Sequence, residues 1–294
     1  MDAAAPFAER KPEVDPPESA KAALSPALPG PSQAPRMKLL VPVSPRRRTW
    51  LGVSFFVVFI GAWALATSLG WVSPHFLASP LQTLYSGYDL FANQNFLFDV
   101  GMTVWRVVGG FLCAAVLAVP LGIAMGAYKP VESFFEPFVS FSRYLPASAF
   151  IPLLILWVGI GEAQKLTVIF IGCFFQLTLM IAMTVSATRR DLVEAAYTLG
   201  AKDGGVIRRV LLPGAAPEIA ESLRQVLGLG WTYVIVAELI GASSGIGHMI
   251  TDSQALMATD HIIAGIVVIG LVGLCSDLLF KKANQLMFPW SQLR

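Results

Sequence analysis

The stretch Glu194-Ala195-Ala196-Tyr197-Thr198-Leu199-Gly200 is followed, thirteen positions after the glycine, by Pro213 in the pair Leu212-Pro213. It lies in a basic segment between two apolar ones. Alanines at the tip of a helical turn, a glycine able to take positive φ just behind them, and a Leu-Pro stop describe a compact knob that another protein can grip. What surrounds the knob decides what kind of protein carries it.

The surroundings are apolar. Of the 294 residues 55% are hydrophobic and only 14% charged, and the mean hydropathy is +0.64. That balance belongs to an integral membrane protein rather than a soluble domain. The net charge of +2 does not support a nucleic-acid partner, because the placement of cations matters here more than their sum. Cys113, Cys173 and Cys275 sit inside apolar runs and read as reduced, structural thiols. His75, His248 and His261 are scattered without ligand spacing, so no metal site is expected.

Residues 1–48 read as a disordered Pro/Ala-rich cytoplasmic tail. Ten of the twenty prolines fall within the first 45 positions, mixed with small and charged residues. The remainder, 49–294, reads as the transmembrane domain. Its first apolar run begins near Trp50 and is long enough to span, so it is expected to be a retained span rather than a cleaved signal. Runs of spanning length occur at about 50–69, 104–127, 139–160, 166–187, 226–242 and 262–280, which predicts an all-α polytopic protein of about six transmembrane helices. The third run is interrupted by Pro146 and Pro152, with Arg143 near its start. Broken helices survive in a membrane where neighbours or a cavity satisfy the freed backbone groups, so this run is expected to line a pathway.

The cations test the layout independently, since short cytoplasmic loops carry the Lys and Arg excess. With the tail inside, the inner side receives Arg46, Arg47, Arg48, Lys129, Arg143, Arg189, Arg190, Lys202, Arg208, Arg209, Arg224, Lys281, Lys282 and Arg294. The outer side receives only Arg106 and Lys165. Both termini are therefore expected in the cytoplasm, and so is the loop of about 188–225 that holds the knob. The outer segment of about 70–103, with Tyr85, Tyr88 and Phe91, suits an interfacial helix or a surface that receives a partner.

The pattern Glu194-Ala195-Ala196-x-x-x-Gly200-x9-Val210-x-Leu212-Pro213 resembles the EAA loop of permease subunits of binding-protein-dependent ABC importers. Val210 stands where that family usually has Ile, a change that keeps the apolar contact. The resemblance continues through Thr103-Val104-Trp105-Arg106 with Gly110, through Pro146, Leu153, Trp157, Gly159 and Gly161, to Phe288-Pro289-Trp290. It points to the nitrate/sulfonate/taurine/bicarbonate branch. Trp231-Thr232, Ala237-Glu238, Gly241-Ala242, Gly245-Ile246-Gly247 and Ala258-Thr259-Asp260 look most similar to taurine and alkanesulfonate permeases.

The resemblance implies the type I ABC importer permease fold and a homodimer of this subunit in membrane lipid. It also implies a cytoplasmic ABC ATPase dimer docked on the two EAA loops, and an extracytoplasmic solute-binding protein. Glu194, Ala195, Ala196, Gly200, Leu212 and Pro213 are then the ATPase-coupling residues. No cofactor is expected in this chain, ATP and Mg being bound by the partner ATPase. The sequence has no Gly-x-x-x-x-Gly-Lys-Ser/Thr phosphate loop, so hydrolysis is assigned to the separate subunit.

Polar residues inside the apolar runs are few, and each is costly in hydrocarbon, so they are expected to face the bundle or a water-filled path. Arg106, Gln176, Trp231, Tyr233 and Glu238 are the candidates for the translocation path. Each has a structural alternative. Glu238 pairs with Arg106 or caps a helix end, Gln176 bonds a neighbouring helix, and Trp231 and Tyr233 pack. Asp277 lies toward the inner end of the last run. Glycines 228, 230, 265, 270 and 273 are expected at close helix contacts. An ion-coupled secondary transporter fits the hydropathy but lacks the expected inverted repeat. A membrane enzyme lacks a clustered catalytic set.

Overall fold

A computed structural model describes residues 43–290. Most of the expected tail, 1–42, lies outside the described residues. All regular structure among the described residues is helical. The first helix, α1 (Pro45–Ser68), starts on a proline, which suits a first helical position because that amide has no intrahelical partner anyway. Residues 43–57 form a unit described by itself. From Val58 onward one larger unit contains everything below.

The outer segment holds α2 (Pro80–Asn93), opened by a capping box between Ser79 and Gln82. Then come α3 (Phe96–Ala127) and α4 (Lys129–Ser142), a 3-10 turn (Ala147–Phe150), and α5 (Ile151–Val158). The long α6 (Glu162–Ser186) leads to the short α7 (Arg190–Thr198) and α8 (Asp203–Val206). A π-helical turn (Ile207–Leu211) joins α8 to α9 (Leu212–Glu238), and α10 (Ile246–Ala255) and α11 (Thr259–Met287) close the chain.

The expected six apolar crossings become four by length and composition: α1, α3, α6 and α11. The α4–α5 pair, bent by 82°, makes a fifth if it is one broken span. The reason for the shortfall is charge. The run at 226–242 belongs to α9, whose 27 residues include Glu218, Glu221, Arg224 and Glu238. Three of those charges enter as pairs, Arg224 with Glu221 and Asp277, and Glu238 with Arg106, which is how a helix in the bundle tolerates them.

The tightest packing joins α3 to α6. Gly110, Ala114, Ala118, Gly122 and Gly126 recur every fourth residue on α3 and form one ridge of small side chains. A Cβ at Gly110 would stand 3.0 Å from the Leu166 carbonyl oxygen, at Gly122 2.8 Å from that of Thr178, and at Gly126 2.7 Å from that of Ala182. The two backbones touch there. Between helices in lipid the hydrophobic effect contributes little, because the tails are as apolar as leucine, so this close van der Waals fit carries the association. Val107, Phe111, Cys173, Leu177, Ile181, Val226 and Val234 fill the same core and bring α9 against the pair.

The glycines picked from the sequence for close contact divide into two groups. A Cβ at Gly265 would meet Met249 at 2.6 Å and one at Gly230 would meet Val107 at 3.4 Å. Gly228 and Gly270 have nothing within 4 Å. They line an apolar groove of about 510 Å³ between α9 and α11, together with Trp231, Ile235, Ile269 and Gly273.

Candidate functional site

The Glu-Ala-Ala stretch is the nine-residue helix α7. Asp191 stands in its first turn, where the positive end of the helix favours a carboxylate, and Arg189 grips it with two hydrogen bonds, one of 3.1 Å. That guanidinium holds the Asp191 carboxyl below the usual carboxylate range. Gly200 ends the helix in the left-handed region at φ +82°. The Ala201 amide donates to the Ala196 carbonyl at 3.0 Å and the Gly200 amide to that of Tyr197 at 2.9 Å. These two bonds make a Schellman closure, which needs a glycine-like residue at position 200. The glycine of the motif and its second alanine are thus the two ends of one capping device.

Glu194, Ala195, Tyr197, Thr198 and Leu199 are exposed, Leu199 at 88%. Glu194 has no ion-pair partner among the described residues. Tyr197 Oη donates to Asp203 Oδ1 at 3.0 Å, which pushes the phenol above its ordinary value and ties α7 to α8. Behind α7 a groove of about 280 Å³ is lined by Thr184, Thr188, Arg189, Leu192, Gly214 and Glu218.

The expected Leu212-Pro213 stop is a start. Leu212 and Pro213 open α9, and helical bonding runs unbroken from Asp203 into it. Proline cannot donate an amide and crowds the carbonyl four residues back. The preceding turn widens to π geometry, with the Leu212 amide reaching Ile207, and so accommodates it. By Ala215 and Ile219 α9 is already in the core, well before the expected start near 226.

At the other end of α6, about 37 Å away for 25 residues, a buried polar cluster joins four elements. Arg106 of α3 donates from Nε and Nη2 to both oxygens of Glu162, each at 2.7 Å. It also donates from Nη1 to Glu238 Oε1 and to the Ser244 carbonyl, each at 2.7 Å, and from Nη2 to Ser244 Oγ at 3.1 Å. A guanidinium has five donors, and all are used. Glu238 also accepts from Thr103 Oγ1 at 2.9 Å and from the Gly247 amide at 2.9 Å. Asp99 takes the Gly245 amide at 2.6 Å and Thr103 Oγ1 that of Ile246 at 2.9 Å. The first amides of α10 are capped by side chains of α3 and α9. Both structural alternatives for Glu238, pairing with Arg106 and capping a helix, are realised together.

The other pathway candidates lie elsewhere. Trp231 is buried and donates from Nε1 to Ser276 Oγ at 3.0 Å. Tyr233 lays its ring on Gly172, where a Cβ would meet the ring at 2.5 Å. Gln176 and Tyr233 line a cavity of about 50 Å³ with Ser142 and Arg143, at the break between α4 and α5. Arg143, read from the sequence as a cytoplasmic cation, thus lies beside the middle of α6, next to Gly172 and Gln176. The 14 residues of α4 reach only about 21 Å, too short to cross a bilayer core of about 30 Å. Sequence reading also missed Glu162; a carboxylate in the first turn of the span that follows Gly159 and Gly161, on the side assigned to Arg106, was its available signal.

The family described as binding-protein-dependent transport system inner membrane component matches residues 118–288. The chain belongs to that family. It is 36% identical over 248 residues to a probable ABC transporter permease protein of Brucella abortus, covering 84% of this chain and 98% of the relative. It is 32% identical over 263 residues to the taurine transport system permease protein TauC of Escherichia coli K12, covering 87% and 94%. The fold matches the MetNI methionine ABC transporter in an inward-facing conformation, with a TM-score of 0.56 at 18% identity over 64% of this chain and 94% of that one. This member of the permease family is thus a non-catalytic membrane subunit of an ABC importer, and ATP is hydrolysed by a separate subunit.

Proposed function

We propose that this permease subunit imports a small anionic or zwitterionic solute, taurine or an alkanesulfonate, across the bacterial inner membrane. Two copies form the path, and both termini lie in the cytoplasm. A cytoplasmic ATPase dimer docks on α7 of each copy through Glu194, Ala195 and Ala196, with Gly200 setting the end of the docking helix and Leu212-Pro213 passing its motion into α9. An extracytoplasmic solute-binding protein delivers the solute to the opposite face. Gln176 and Tyr233 stand at the path, while Arg106, Glu238 and Trp231 hold its frame.

The observation that carries this reading is the exposed, Schellman-closed α7, directly linked to a helix that runs through the core. A short rigid helix with an exposed Ala195 and an uncovered Leu199 suits a groove on another protein. The likeness to a taurine permease supports the solute class.

The test is uptake into proteoliposomes containing the permease, its ATPase and its binding protein. ATP-dependent entry of taurine, competed by short alkanesulfonates, is the expected result. Entry that persists without the ATPase would overturn the ABC mechanism. Entry of nitrate or bicarbonate in place of taurine would overturn the solute assignment alone.

A further inference from the structure

Arg106 and Arg143 are bonded in opposite ways. Arg106 spends every donor on Glu162, Glu238 and Ser244. Arg143 makes one side-chain hydrogen bond among the described residues, from Nη2 to the hydroxyl of its neighbour Tyr144 at 2.7 Å, and its guanidinium lies 4.5 Å from the Tyr144 ring centre. It has no carboxylate partner among the described residues.

Its position follows from two independent lengths. Arg143 ends α4, about 21 Å of helix from Lys129. The cavity it lines also touches Gly172 and Gln176 on α6, about 15 and 21 Å from the Glu162 end of a helix about 37 Å long. Both place the guanidinium beside the middle of α6, a helix long enough and apolar enough to cross a membrane. An uncompensated cation there is expensive unless it meets water, a partner or an anion, and such residues mark ion and substrate pathways. The amide of Gln176 is likewise without a hydrogen-bond partner among the described residues.

The surroundings suit an anionic group. Arg143 supplies charge and planar donors that match an oxyanion in pairs. Ser142, Gln176 and Tyr233 supply neutral polar groups around the same space. The cavity of about 50 Å³ admits a few water-sized groups, the scale of a headgroup and not of a whole solute. The 82° bend between α4 and α5 opens helical backbone at the same level. We propose that Arg143, with Gln176 opposite, is the oxyanion-recognition point of the translocation path and selects for solutes carrying a sulfonate or a similar anionic group. This rests on the reading of the chain as an importer of small anions or zwitterions.

The experiment measures ATP-dependent uptake in the reconstituted complex for Arg143→Lys, Arg143→Gln, Arg143→Glu and Gln176→Glu, each checked for assembly with its ATPase by size exclusion. One charge-assisted hydrogen bond is worth enough for about a tenfold loss of maximal rate in Arg143→Gln. A larger loss is expected in Arg143→Glu, and a rate within about threefold of wild type in Arg143→Lys, which keeps the charge. Gln176→Glu leaves the helix end untouched and sets a carboxylate beside the guanidinium, so it also loses uptake. Assembled Arg143→Gln or Gln176→Glu complexes that transport at the wild-type rate would overturn the proposal, and so would an Arg143→Lys variant that assembles but fails as fully as Arg143→Gln. If the Arg143 variants do not assemble, Gln176→Glu decides alone. Wild-type uptake separates the two claims. If the wild type carries nitrate or bicarbonate, the sulfonate reading falls and the variants are scored on that anion; if it carries only neutral or cationic solutes, both fall.

Discussion

Arg106 and Glu238, 132 positions apart in the chain, meet at 2.7 Å with both side chains fully buried. Neither is free to act alone, because each fixes the other and the start of α10. Removing Arg106 leaves Glu238 as a buried charge without its ion-pair partner, at a cost of about 3–5 kcal/mol, whereas removing Glu238 leaves Arg106 still paired with Glu162. Arg106→Gln is expected to lower the folded yield and melting temperature in detergent, and Glu238→Gln to do so less, since an amide still accepts from Gly247. The double variant should be less damaged than the sum of the two singles. Additive losses in that double-mutant cycle would mean the pair is not coupled.

The small-residue ridge of α3 makes a contrasting pair of predictions. Gly122→Ala drives a methyl group to 2.8 Å from the Thr178 carbonyl, a backbone atom with no room to move, so a loss of about 1–3 kcal/mol is expected. Gly270→Ala meets nothing within 4 Å and should leave the folded subunit as stable as wild type. Thermal unfolding of the two variants side by side checks both.

Gly200 adopts a backbone conformation that costs an ordinary residue about 1–2 kcal/mol. Gly200→Pro also removes the amide that donates to Tyr197. Both this variant and Glu194→Lys are expected to leave the membrane fold intact and to separate ATP hydrolysis from uptake. Parallel ATPase and transport measurements at equal complex concentration test this; unchanged uptake would refute the docking role of α7.

The Arg189–Asp191 pair gives α7 a pH dependence. The folded Asp191 pKa lies below its unfolded value. Its contribution is therefore present above the unfolded pKa of about 3.9 and disappears as pH falls through the lower folded value. Hydrogen exchange of the α7 amides, corrected for intrinsic rates, should be steady from pH 7 to about pH 5 and loosen only in strong acid. Asp191→Asn should abolish that acid step.

Residue types and spacings carried the class of protein. Apolar runs too long and too uncharged for a soluble core must sit in lipid, and Glu194 through Gly200 has a helical turn with its own stop written into it. These are local properties, set by side-chain solvation and backbone φ preferences within a few residues, and they read correctly without tertiary contacts. Leu212-Pro213 shows the limit of such reading. Proline at a first helical turn and proline after a helix look alike in sequence, and only the continuous bonding from Asp203 into α9 separates them.

What the tertiary structure alone decided are the long-range pairings and the position of each charge. Nothing near Arg106 announces Glu162 and Glu238, and nothing near Arg143 says that α4 stops there, bringing it beside Gln176. A charge is assigned to a membrane side by counting along the chain, but its energy depends on which groups from other helices reach it. The sequence alone established a membrane permease and a short helix that closes on Gly200. The folded bundle decided that the buried Arg106 is locked by carboxylates while the exposed Arg143 stands beside the middle of α6 without one among the described residues.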